Sequence, residues 1–103
     1  MSLESEFEDA LRGTYEAARK RGYIATYFLQ MLEEHGAVET AKRLLSKSEP
    51  QQGLMQLWEM GLLHESMEAV VWDNTRFHKF FSPIEIGEAH RRLEELGYFK
   101  KGR

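Results

Sequence analysis

The chain has 103 residues, with 14 Lys plus Arg against 17 Asp plus Glu, a formal charge of −3, 42% apolar side chains, 30% charged and no cysteine. That length is enough for one domain, which buries roughly 60–70% of its extended surface with no metal or disulfide staple. The composition excludes disordered, collagen-like and low-complexity classes, and a charge so near balance implies no polyionic partner. Without cysteine there are no disulfides, thiolate metal sites, iron–sulfur clusters or cysteine nucleophiles.

The longest apolar stretch, Tyr23 to Leu32, is broken by Thr26 and Gln30 and falls far short of the ~20 residues that cross a bilayer. Glu4, Glu6, Glu8 and Asp9 stand where a secretory leader would be basic and then apolar. The expected setting is the cytosol, with no membrane partner. Acids and bases number 9 and 7 over residues 1–50 and 8 and 7 over 51–103, so charge gives no reason to divide the chain. One domain over 1–103 is expected, with flexible ends at 1–5 and 100–103.

Apolar residues recur at helical spacing almost throughout, and no period-two alternation is long enough for a strand. The stripe Leu3, Phe7, Ala10, Leu11, Thr14, Tyr15, Ala18 predicts a first helix ended by Arg19-Lys20-Arg21 and Gly22, its basic end suiting the helix dipole. Ile24, Tyr27, Phe28, Met31, Leu32 and His35 form the most regular stripe, stopped at Gly36, and their aromatic content marks the central core helix. Val38, Ala41, Leu44 and Leu45 define a short third helix. Ser48-Glu49-Pro50-Gln51 reads as a capping box opening a fourth, with Leu54, Leu57 and Trp58 on its stripe and Gly61 at its end.

Leu63, Met67, Val70 and Val71 give a fifth stripe around Ser66, closed by Asp73-Asn74-Thr75. Phe77 to Phe81 are too few for a helix. Ser82-Pro83-Ile84-Glu85 is a second capping box, and Ile86, Ala89, His90, Leu93 and Leu96 form the last stripe before Gly97. Tyr98 and Phe99 are expected to fold back onto that helix. About six short helices with brief connections predict an all-α fold, a compact orthogonal array around one core.

Chemistry is sparsely signalled. His35, His64, His78 and His90 are isolated, and His64-Glu65-Ser66-Met67-Glu68 has Glu68 where a zinc-protease helix needs its second histidine. The pairs Glu33-Glu34 and Glu94-Glu95 read as solvated faces. No glycine-rich run cradles phosphate, and no base is placed beside Ser46, Ser48, Ser66 or Ser82. Neither catalysis nor a cofactor or metal is therefore expected.

Residues 36–60 have the outline of a helix-turn-helix. Ala41 would permit close approach, Leu45 and Leu54 would lock the pair across a three-residue turn, Gln51, Gln52 and Gln56 would read base edges, and Lys42, Arg43 and Lys47 would meet phosphates. A tight helical corner of purely structural meaning has the same pattern. The aromatic residues raise a different reading, since anchors left exposed on a small helical array dominate protein interfaces. The candidate protein-contact set is Trp58, Trp72, Phe77, Phe80 and Phe81, with Glu59 and Glu68 as polar pieces. Glu68 has a structural alternative, burial against an arginine such as Arg92.

The chain also resembles a family of short uncharacterised bacterial proteins. The resemblance runs from Tyr15 to Tyr98, about four fifths of the chain, and is carried by Tyr27-Phe28-Leu29, Gly36-Ala37-Val38, Ala41-Lys42 with Leu44-Leu45, and above all Gly53-Leu54-x-x-Leu57-Trp58-Glu59. Glu68, Phe81, Glu85, Ala89, Arg92-Leu93 and Gly97-Tyr98 extend it, while Gly61-Leu62-Leu63 departs from the family's usual Gly-Arg-Leu. It implies an all-helical bacterial cytosolic or mobile-element protein and no particular activity. The sequence thus predicts a small regulatory or adaptor module that docks on another protein, with a homodimer or DNA as the other partners considered.

Overall fold

A computed structural model describes residues 2–48 and 51–100. Its six α-helices are α1 (Leu3–Lys20), α2 (Thr26–His35), α3 (Ala37–Leu45), α4 (Gln52–Glu59), α5 (Met67–Asp73) and α6 (Pro83–Glu95), with 3₁₀ turns at Leu63–Glu65 and Thr75–Phe80 and no strand among the described residues. The fold is all-α.

Local chemistry accounts for most of these boundaries. Ser2 caps α1 by accepting from the Ser5 amide, and Leu3 packs on the core. Gly22 and Gly36 stop α1 and α2 with φ of +95° and +80°, values that cost glycine nothing. Before α6, the Ser82 hydroxyl accepts from the Glu85 amide at 3.1 Å and the Glu85 carboxylate accepts from the Ser82 amide at 2.8 Å, completing the expected capping box.

Two boundaries differ from expectation. The fifth stripe is broken, because Ser66 turns its hydroxyl to both the Leu63 carbonyl and the Ala69 amide, ending a 3₁₀ turn and capping α5 at once. The fourth helix starts at Gln52, later than the Ser48–Gln51 box implied, and Glu49 and Pro50 of that box lie outside the described residues.

The main core joins Phe7 and Leu11 of α1, Leu32 of α2, Ala37, Ala41 and Leu45 of α3, Met67 and Val71 of α5, Phe77 and Phe81 from the second 3₁₀ turn and its end, and Ala89 of α6. Phe7 is its hub, meeting Phe77 at 5.0 Å and Phe81 at 5.6 Å edge to face, the geometry ring quadrupoles favour. Beside it, Leu54, Leu63, Ala69 and Leu93 form a smaller cluster that carries α4. Thr14 ties the two regions by donating to the Glu65 carbonyl at 2.6 Å. The Thr40 hydroxyl is buried with no hydrogen-bond partner, a local cost inside the main core.

The C-terminal segment returns as expected. The Tyr98 hydroxyl donates to Asp73 and Phe99 stacks on His90 at 4.7 Å, with Trp72 at 4.5 Å from the same imidazole.

Candidate functional site: an apolar cleft above a buried ion pair

The second helix does not behave as a central core helix. Of its stripe only Met31 and Leu32 are buried, while Ile24, just before the helix, is 55% exposed and Tyr27 is 64% exposed. A regular apolar face needs a covering element, and α4, the nearest candidate by position in the chain, packs instead on the Leu63–Glu65 turn. The gap so left is a cleft of about 420 Å³.

Three stretches of chain wall the cleft. Thr14, Tyr15 and Ala18 come from α1, Tyr23 to Phe28 with Met31 from the following link and α2, and Gln51 to Leu54 with Leu57 from the start of α4. Met67 and Glu68 lie beneath, and Leu44 and Lys47 close the side formed by the end of α3. Small residues make the space: at Gly53 an added Cβ would meet no atom within 4 Å.

Under the cleft Arg92 organises the ends of three helices. Its Nη1 donates to Glu68 Oε2 of α5 at 2.9 Å, its Nε to Glu88 Oε2 one turn earlier on α6 at 2.7 Å, and its Nη2 to the carbonyls of Leu44 at 2.9 Å and Lys47 at 3.0 Å. The guanidinium therefore caps the carbonyl end of α3, where a cation also suits the dipole. Side-chain exposure of Arg92 and Glu68 is only 6% and 5%, which strengthens each bond and makes an unpaired partner costly. Burial pushes the Glu68 carboxyl above its ordinary value, opposed by the charge of Arg92. Glu88, more accessible and bonded first by Arg91 and then by Arg92, is held down to about 2.

This arrangement corrects most of the expected contact set. Phe77 and Phe81 are core, because they close around Phe7, and Glu68 is the structural acid of an ion pair. Phe80 is half-buried against the same core, and Trp72 is half-buried under His90 and Phe99. Trp58, 45% exposed, and the exposed Glu59 are the members left at the surface, on the far side of α4 beside a shallow hollow lined by Glu94, Glu95 and Lys100.

Two details expected of a helix-turn-helix, the three-residue turn and the Leu45–Leu54 lock, differ. Helices α3 and α4 are joined by residues 46–51 rather than a three-residue turn, and Leu45 and Leu54 belong to different clusters. Lys42 is bonded to Glu85 at 2.9 Å and lies over the Phe81 ring, and Arg43 pairs with Glu39. Gln51 and Gln52 face the cleft, while Gln56 lies partly buried on α4.

Sequence reasoning missed Ile24, Tyr27, Tyr23 and Gly53 as site residues. The available signal was Gly53 near the start of an apolar helix, where a residue without Cβ lowers stability unless space is needed. The histidines do not converge: His35 and His64 each face an adjacent glutamate at 3.7 Å and His78 meets the Trp72 carbonyl. Among the described residues no three His, Cys, Asp or Glu are grouped to hold a metal ion, and no helix is long and apolar enough to cross a membrane. No protein-family model, curated protein or solved structure matches the chain.

Proposed function

We propose that the chain is a non-catalytic binding module of the cytosol, regulatory or adaptor in role, which docks on another protein by taking an apolar segment of it into the cleft between α1, α2 and α4. The observation that carries this reading is the exposure of Ile24 and Tyr27 at the mouth of a half-open apolar cavity of about 420 Å³. Exposed apolar surface next to a hollow is the form of a recognition site. A ligand small enough to lie wholly inside would leave both rim side chains wet, whereas a peptide segment entering the cleft covers them. Gly53, Leu54 and Leu57, from the motif that carries the resemblance to the bacterial family, stand in the wall of this cleft.

Binding fits the lining better than catalysis does. The one carboxylate at the cleft floor is committed to Arg92, and the walls hold no histidine or serine to form a nucleophile and base. The test is a peptide-display selection against the purified chain and, in parallel, its Gly53→Trp variant. Gly53 lines the cleft and an added Cβ there meets no atom within 4 Å, so the variant is chosen to obstruct the cleft, with circular dichroism checking that the fold is kept. Apolar peptides that enrich on the parent chain and not on the variant support the reading. Enrichment that is equal on both, or of polar peptides alone, would overturn it.

A further inference from the structure

We infer that the segment held in the cleft carries acidic residues beside its apolar anchors, an inference that rests on the docking reading above. The whole chain is acidic, yet the charged residues of the cleft lining are Lys47 and a Glu68 already neutralised by Arg92. Lys20, the last residue of α1, and Arg21, its cap, lie between two wall residues, Ala18 and Tyr23, brought together by the bond from the Tyr23 amide to the Ala18 carbonyl at 3.0 Å. Lys47 stands on another wall. None of the three has a carboxylate partner among the described residues, and Arg21 is the one described arginine in that position, since Arg12, Arg19, Arg43, Arg76, Arg91 and Arg92 are all paired. Lys20 and Arg21 do not line the cleft themselves but lie between two of its wall residues in the chain; Lys79 and Lys100, also unpaired, do neither.

Two described acids, Glu16 beside the wall residue Tyr15 and Glu68 of the lining, are already used. Glu16 is held by Arg19 at 2.9 Å, and Glu68 at the cleft floor is held by Arg92. An arriving segment therefore meets a free ammonium at Lys47 on the cleft wall, with the exposed Lys20 and Arg21 next in the chain to the wall residues Ala18 and Tyr23. Lysine and arginine left without counter-charge at the edge of such a slot reward opposite charge on the partner and speed its encounter, and the effect weakens as salt is added. A lysine-rich segment with the same anchors meets like charge at Lys47.

The probe is a set of peptides in which a core drawn from Leu, Ile, Met, Phe and Trp is flanked by Glu, by Ser or by Lys, selected on the full chain and on Gly53→Trp. Among peptides that need an open cleft, Glu flanks are expected to dominate, with affinity about tenfold above the Lys-flanked counterparts at low salt. The advantage should shrink at high salt and vanish in the triple variant Lys20→Glu, Arg21→Glu, Lys47→Glu, whose residues are all surface-facing or cleft-lining. Cleft-dependent binding with neutral or basic flanks would overturn the inference and leave the docking reading standing. A complete lack of cleft-dependent peptides would remove both. Self-association of the parent chain that Gly53→Trp abolishes would assign the cleft to a second copy, and cleft-dependent binding to anionic lipid vesicles without peptide binding would assign it to a membrane surface, and either result overturns the inference.

Discussion

The two ends of α1 sit in opposite environments. Near its start Phe7 and Leu11 are fully buried, with Phe77 and Phe81 closed edge to face around Phe7. Near its end Tyr15 and Ala18 form one wall of a cleft whose rim residues, Ile24 and Tyr27, are more than half exposed. Both regions are rich in aromatic side chains. What separates them is whether a covering element arrives: the Thr75–Phe80 turn and α6 return over Phe7, whereas α4 is drawn away onto the Leu63–Glu65 turn. Apolar periodicity says that a face exists, and long-range packing decides whether it becomes core or binding surface.

The largest test of that contrast is Phe7→Ala. It should cost about 3–5 kcal/mol, because three rings lose their common neighbour and close packing cannot fill the cavity. Urea unfolding followed by circular dichroism measures it, and a loss below 1 kcal/mol, on the scale of ordinary surface substitutions, would mean that the ring cluster is not the hub. Arg92→Met is next at about 3–5 kcal/mol, since it leaves Glu68 buried without its cation and the end of α3 uncapped. The double variant Arg92→Met, Glu68→Leu should recover much of that loss in the same unfolding experiment, because an apolar pair leaves no stranded charge.

Acid supplies an intermediate effect. The folded pKa of Glu88 lies at about 2 against an ordinary 4.5, so its contribution is present above pH 4.5 and is lost as pH falls toward 2. Glu85 acts in the same direction: burial raises its pKa, but bonds from the Ser82 backbone and Lys42 outweigh that and lower it. Glu68 acts oppositely, because its pKa is raised, and its contribution declines as pH rises from 4.5 through the folded value. Melting temperatures of Glu88→Gln should therefore depend less on pH between 4.5 and 2 than those of the parent chain.

The smallest effects belong to the cleft. Gly53→Ala adds a Cβ into open space within a helix and should raise stability by about 0.5–1 kcal/mol. Tyr27→Ala should leave the melting temperature within the scatter of ordinary surface substitutions, about 0.5 kcal/mol, while weakening peptide capture. A destabilisation comparable to Phe7→Ala would show that Tyr27 belongs to the core after all.

Much of the fold was legible in the residues. Ser82 with Glu85 announced the start of α6 and Gly22 and Gly36 the ends of α1 and α2, because caps are local, while the buried pair of Glu68 with Arg92 was legible only as the alternative to a contact role. The cleft was not legible. Ile24 and Tyr27 lie on the most regular apolar stripe of the chain, which reads as core whether or not another helix covers it. The same ambiguity placed Phe77 and Phe81 among surface anchors, though each is sealed by Phe7 from the far end of the sequence. The expected Leu45–Leu54 lock is missing for a related reason: the two have the right spacing, but each finds different partners.

The most direct test of the central claim is amide chemical-shift mapping of the full chain with a peptide enriched on the parent protein alone, without counter-selection on any variant. Shifts concentrated on Thr14 to Ala18, Tyr23 to Met31 and Gln51 to Leu57 are the predicted result. Shifts centred instead on Trp58, Glu94 and Glu95, or on Lys42 and Arg43, would contradict it.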